Sequence, residues 1–131
     1  MSRYINTHCH DEYSNITIKD STNRLPRMID YVANTLNQKG FAMTNHEFIG
    51  NHLKVENTVK QLKSKGKIPQ DFKVILGNEI YLVDEQEMKN NIANKGKVRF
   101  YHFILLAKNL EGHKQLRELS KRAWARAFNC L

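Results

Sequence analysis

Apolar residues along this chain fall into two alternating regimes: short unbroken runs, and longer stretches in which they return every three or four positions. The short runs predict strands at residues 4–8, 41–44, 73–83 and 101–107, the last two being the clearest. The periodic stretches predict helices. Leu25, Met28, Ile29, Val32 and Leu36 mark the first, Val55, Val59 and Leu62 the second over residues 51–65, and Leu116, Leu119, Ala123 and Ala127 the third over residues 111–128. Ser21, Thr22 and Asn23 offer N-caps to the first helix, Pro26 falls in its first turn where a missing N–H costs least, and Gly40 and Gly66 stop the first and second. Residues 84–99 are almost uniformly polar, so they read as a loop or a short exposed helix. The order β-α-β-α-β-β-α predicts an α/β fold: a mostly parallel sheet, helices on its faces, and ligands bound at the carboxyl ends of its strands.

Composition narrows this to one globular unit of 131 residues, 40% hydrophobic and only 9% aromatic. The longest apolar stretch, residues 103–107, is far below the roughly 20 residues of a membrane span, and the first residues lack a signal-peptide core. A soluble cytoplasmic protein is expected, with no membrane partner. Cys9 and Cys130 allow one disulfide at most, and their spacing is not that of a stapled framework, which points to a reducing compartment.

Histidines and carboxylates recur where the predicted strands end. His8 and His10 flank Cys9 at the end of the first strand, and because side chains alternate, both imidazoles point to one face while Cys9 points toward packing. His46 follows the second strand, Glu79 lies in the third, His102 begins the fourth, and Asp20 occupies the loop after the first. Imidazoles and carboxylates converging on one place suit a divalent transition metal. Asp20 also fits a helix cap, and His102 a core histidine. Glu79 sits between Val74-Ile75-Leu76 and Ile80-Tyr81-Leu82, where a lone carboxylate is costly and a cation would relieve the cost. His52 and His113 fall on predicted helices and read as ordinary polar positions.

Four ordered motifs carry a family likeness: His8-Cys9-His10-Asp11-Glu12-Tyr13-Ser14, Ala42-Met43-Thr44-Asn45-His46-Glu47, Ile75-Leu76-Gly77-Asn78-Glu79-Ile80-Tyr81, and His102-Phe103-Ile104-Leu105-Leu106-Ala107-Lys108-Asn109. In order and spacing they resemble the PHP (polymerase and histidinol phosphatase) domain at the start of the bacterial DNA polymerase III alpha subunit. The region from Glu111 through Ser120 resembles the polymerase branch more than the small-molecule phosphatases, and the Tyr13-Ser14-Asn15 and Asp20-Ser21 wording resembles phage versions most. The resemblance implies a distorted (β/α)7 barrel with up to three divalent ions, zinc or manganese, at its strand ends. It implies His8, His10, Asp20, His46, Glu79 and His102 as metal ligands. Asn45 stands where the family usually has Asp, and a neutral amide is the poorer ligand or acceptor. A complete barrel of this kind needs roughly 200 residues or more. Residues 1–131 are therefore expected to form about the first half of one, a partial PHP domain with fewer ions than the family's full complement.

Charge adds a possible partner. Lysines and arginines number 21 against 13 aspartates and glutamates, for a net charge of +8. The surplus is concentrated after residue 107, where Lys114, Arg117, Lys121 and Arg122 are candidate phosphate contacts, and Lys60, Lys63, Lys65 and Lys67 form a second cluster. These lysines and arginines fit DNA, met through a larger polymerase assembly, and equally fit solvated helix faces; no aromatic interleaving in the sequence marks a single-strand platform. Three functions follow from the resemblance. The first is a metal-dependent phosphoesterase of 3′–5′ exonuclease type in DNA replication, weak or inactive in this chain alone. The others are a non-catalytic structural module of a replicative polymerase, and a stand-alone phosphatase of small esters. A cut barrel also predicts that the apolar Val74, Ile75, Leu76, Ile104 and Leu105 drive pairing with a separate chain that completes it, or self-association.

Overall fold

The computed structural model describes residues 4–93 and 99–129, except for the side chains of residues 91–93 and 126–129. The elements are β1 (Asn6–Cys9), a 3₁₀ turn (Glu12–Ile16), α1 (Leu25–Asp30) prolonged by a π-helical turn (Tyr31–Thr35), β2 (Gly40–Met43), α2 (His52–Ser64), β3 (Lys73–Leu82), α3 (Glu85–Ala93), β4 (Tyr101–Leu106) and α4 (Leu110–Asn129). The strands form a curled four-stranded sheet in the order β1-β2-β3-β4. β1, β2 and β3 run parallel, because α1 and α2 carry the chain back across the sheet between them. β4 is antiparallel to β3. Leu82 pairs with Tyr101, so the connection containing α3 starts and finishes at one edge of the sheet and makes no crossover.

Alternation divides the sheet into two functional faces. On one, Phe41 and Met43 of β2 are fully buried against Leu25, Ile29, Val32 and Ala33 of the first helix and Val55 of α2, with Cys9, Val74 and Leu76 packed alongside. Phe72 and Ile68 close the lower end, and Phe72 meets Phe41 edge-on at 6.2 Å between ring centroids. Each large side chain buried here contributes about 1.5–3 kcal/mol of transfer free energy, so this face holds the sheet to its helices. The opposite face carries His8, Glu79 and Tyr81, which leaves it available for chemistry.

Several local expectations need correction. None of Ser21, Thr22 and Asn23 caps α1. The N-cap is Arg24, without a side-chain cap bond, and the Leu25 N–H donates instead to Glu12 Oε2 at 2.8 Å. A carboxylate brought from the preceding turn satisfies the orphan donor, which local sequence cannot reveal. Of the two readings of residues 84–99, loop or short exposed helix, the helix is what forms over Glu85–Ala93. On α4 the inward stripe is His113, Leu116, Ser120 and Trp124; Leu119 is 46% exposed and Ala123 is also exposed, while the side chain of Ala127 lies outside the described residues. His113 and Trp124 set this rotation through their contacts with His52 and Glu47. Val74, Ile75, Leu76, Ile104 and Leu105 are all half-buried. The exposed apolar residues of β3 and β4 are Leu82, Tyr101, Phe103 and Leu106. No helix among the described residues is long and apolar enough to cross a membrane.

Candidate functional site

β3 outruns β2, and that overhang builds the site. The β2–β3 ladder ends at Met43 and Leu76, yet the chain after β2 stays beside β3: Glu79 N–H donates to Asn45 O at 3.2 Å and Glu47 N–H to Glu79 O at 2.8 Å. His46 is thereby bridged to Glu79. Glu47 takes a left-handed backbone (φ 50°) and is tied back by its carboxylate, which accepts the Tyr81 N–H at 2.7 Å. His102 enters from β4; its pairing with Tyr81 in an antiparallel ladder sets it on the face that holds Glu79.

Glu79 is completely buried and is the centre of the cluster. Its Oε2 lies 2.6 Å from His8 Nε2, 3.0 Å from His10 Nε2 and 3.3 Å from His46 Nδ1, and its Oε1 pairs with His102 Nδ1. His46 Nε2 in turn meets Asp20 Oδ2 at 2.7 Å. Asp20 is thus drawn into the site rather than used as a helix cap. All six candidate residues come together, as three overlapping groups (His8, His10, Glu79; His10, Asp20, His46; His46, Glu79, His102), each with its ligand-type atoms within 4.8 Å of one another.

The electrostatics follow from burial among charges. Burial alone would raise the Glu79 pKa, but hydrogen bonds from His8 and His102 and the nearby His46 outweigh it and hold the carboxyl below its ordinary value. His10 is pushed down, first by burial and then by the neighbouring His46.

A layer of hydroxyls that the sequence reading missed orients the imidazoles. Ser14 Oγ pairs with His10 Nδ1 at 2.9 Å and accepts the His46 N–H at 3.2 Å; the Tyr81 hydroxyl meets His46 Nδ1 at 3.0 Å; Thr17 Oγ1 donates to His46 O at 2.6 Å. With Ser14 on Nδ1, the Nε2 of His10 is left to face Glu79. Tyr81 lies two residues after Glu79 on the same strand face, the one periodic signal that pointed to it.

Asn45 takes another part than expected. Its Nδ2 donates to Asp11 Oδ1 at 2.6 Å while its Oδ1 accepts the Asp11 N–H at 2.9 Å, and Asn51 Nδ2 donates to Asp11 Oδ2 at 2.8 Å. Asp11 is fully buried, which pushes its pKa up despite these donors. The pair splices the turn after β1 to the turn after β2, supporting the site from beneath. His52 also departs from expectation. It is buried, with Nδ1 3.0 Å from His113 Nε2 and Nε2 3.0 Å from Gly77 O, and burial depresses its pKa to about 4. The two histidines join α2, β3 and α4.

Lys114, Arg117, Lys121 and Arg122 are exposed on α4. Lys114 pairs with Glu111 at 3.3 Å and Arg122 with Glu118 at 2.8 Å within the helix, and Arg117 and Lys121 are exposed seven and three residues before Trp124. Cys9 is a free thiol raised by burial to about 11, and Cys130 lies outside the described residues. Two clefts flank the cluster. One of about 460 Å³ is bordered by His8, His10, Asp20 and Tyr31; one of about 380 Å³ is bordered by Thr17, Glu47, Tyr81, Phe100, Ala123 and Trp124.

With this geometry in place, known proteins supply the lineage. The sequence pattern described as PHP domain matches residues 6–130. The chain belongs to the PHP domain family. Among similar proteins, a probable DNA polymerase, YorL, of Bacillus subtilis (strain 168) is 44% identical over 124 residues, 95% of this chain and 9% of that protein. A DNA-directed DNA polymerase of Bacillus phage SPbeta gives the same figures, 44% over 124 residues. The DNA polymerase III subunit alpha of Treponema pallidum (strain Nichols) is 31% identical over 121 residues, 92% of this chain and 9% of that protein. The chain thus spans about a tenth of the length of these relatives.

Proposed function

We propose that residues 1–131 are the opening part of a PHP domain belonging to a replicative DNA polymerase, and that the cluster around Glu79 holds divalent metal for phosphodiester hydrolysis of 3′–5′ exonuclease type. The observation that carries this is the donor set. A neutral imidazole offers one N–H, yet both ring nitrogens of His46 face carboxylates, and one oxygen of a buried glutamate is approached by three imidazoles. Lone pairs held that close to carboxylate oxygens need positive charge between them. Nitrogen and oxygen donors in this mixture fit zinc or manganese.

His8, His10, Asp20, His46, Glu79 and His102 would hold the ions, Ser14 and Tyr81 would fix ring orientation, and bound metal supplies the Lewis acidity that phosphoester hydrolysis requires. Arg117 and Lys121 are exposed cations suited to the phosphates of a DNA strand arriving along α4. The open edge of β4 supports a barrel completed by further strands of the polymerase or by a separate chain. A cluster built from only part of a barrel leaves substrate poorly positioned, and a misplacement of about 1 Å costs about 100-fold, so the 131-residue chain by itself is a weak phosphodiesterase at best. Polymerase relatives favour this reading over a phosphatase of small esters.

Elemental analysis after dialysis against zinc or manganese tests the reading directly. Metal retained by the unaltered chain, and retention weakened at least tenfold by Glu79→Gln and by His10→Ala, is expected. Equal, negligible metal content in all three proteins would leave only the structural role. Hydrolysis of a phosphodiester rather than a phosphomonoester then separates the exonuclease-type site from the small-ester phosphatase.

A further inference from the structure

The cleft of about 380 Å³ beside the cluster is not used by any step so far, and its walls have a distinct chemistry. Tyr81, Phe100 and Trp124 supply three aromatic rings from β3, the approach to β4 and α4, with the Phe100 ring edge-on to Tyr81 at 6.2 Å. The Trp124 indole is anchored by its N–H donating to Glu47 O at 2.9 Å. One wall is common to the metal cluster. The Tyr81 ring stacks on His46 at 5.9 Å, within 10° of parallel, and its hydroxyl reaches His46 Nδ1. A flat group in this cleft therefore lies one side chain away from the proposed phosphate site. Phe100 is 59% exposed, so the cleft opens to solvent. Lys121 and Arg117 precede Trp124 by one and two turns on the adjoining stripe of α4, in place to meet a phosphate backbone leading out of it.

We propose that this cleft is a base-stacking subsite: it takes the nucleobase of the nucleotide whose phosphate occupies the Glu79 cluster. The proposal rests on the metal-site reading and deepens it by assigning a nucleotide, not a small sugar phosphate, as the group bound. Aromatic faces bind any base, since every base has a π-face, so the subsite discriminates weakly among sequences and strongly against abasic esters. Three rings distant in the chain assemble here, which is why the sequence lacks the interleaved aromatics of a single-strand platform.

Trp124 is the one tryptophan in the sequence, so its fluorescence reports the cleft without reference to activity. The test titrates the zinc-loaded chain with dAMP and with 2-deoxyribose 5-phosphate, following Trp124 quenching and, by calorimetry, the heat of binding. dAMP is expected to quench and to bind about tenfold more tightly than the abasic ester, and Phe100→Leu to remove that advantage while leaving the affinity for the ester unchanged; Phe100→Tyr should keep it. Equal affinities for the two ligands, or a Phe100→Leu chain that weakens both alike, would overturn the subsite while leaving the metal reading standing. So would zinc binding with no response to dAMP. Phe100-dependent quenching by dAMP in a chain that calorimetry shows to hold no zinc would instead sustain the subsite and sink the metal reading.

Discussion

Asn45 and Asp11 show how one side chain's meaning depends on its partner. The amide of Asn45 presents a donor and an acceptor to Asp11 in a pocket with no access to water. Asn45→Asp would face two buried carboxylates across 2.6 Å. At pH 7 the substitution should cost about 3 kcal/mol, read as a lowered urea midpoint, with the deficit shrinking toward pH 5 as the pair captures a proton. Combining it with Asp11→Asn should restore part of the loss, because the neutral–charged complementarity returns with its polarity reversed. His52 gives a second residue-scale prediction. Its folded pKa of about 4 lies below the ordinary 6.5, so between these values the unfolded chain binds the extra proton. The stabilisation is complete above about pH 6.5 and is lost as pH falls toward 4, to a total on the order of 3 kcal/mol. Denaturant melts of the wild type and of His52→Gln should converge as pH falls from 7 to 4.5; parallel curves would show that His52 is not protonated on unfolding. Both roles escaped the sequence for one reason. Strand alternation made His8 and His10 legible as a pair, and residue type near strand ends together with the family likeness added Asp20, His46, Glu79 and His102, whereas Asp11, Ser14, His52 and His113 act through contacts between elements, which carry no local period.

At the scale of elements, the chain wrote its strands and helices plainly and their junctions poorly. β3 was legible from its apolar run and α2 from its period, with boundaries off by one residue at most. The direction of β4 was not, since an apolar run reads the same both ways, yet that direction delivers His102 to Glu79. Close packing between strands gives a contrast that tests this scale. A Cβ on Gly40 would stand 2.0 Å from the backbone oxygen of Lys73, inside the β2–β3 ladder. Gly66 ends α2 with φ 64° and has open space around it. Gly66→Ala should therefore cost only about 1 kcal/mol, from the left-handed backbone alone. Gly40→Ala must push β2 from β3, and should cost several-fold more in thermal or urea unfolding while also weakening metal retention, because the Asn45–His46 turn hangs from that ladder. Similar losses at both glycines would mean that the ladder yields without strain.

The whole molecule is a sheet with one finished face and one unfinished margin. Helices cover β2 and the first half of β3, but the far halves of β3 and β4 expose Leu82, Tyr101 and Phe103. Pairing register puts these three on one face: Leu82 lies opposite Tyr101, and Ile80 opposite Phe103. Beyond them, β4 has no strand partner on its outer side among the described residues. An unpaired edge beside an aromatic patch is a template for another strand, so at tens of micromolar the chain should form dimers or larger species in sedimentation. Two substitutions separate the edge from the core. Phe103→Lys places a charge on the exposed side and should favour monomer with little loss of stability. Ile104→Lys points to the half-buried cluster side, opposite Glu79 in the ladder, and should destabilise the fold instead. If the rest of a polymerase barrel normally covers this margin, a longer chain that includes it should bury Phe103 and lose the concentration dependence altogether. A 131-residue chain that stays monomeric at these concentrations, and is indifferent to Phe103→Lys, would show that the exposed patch is not an assembly surface.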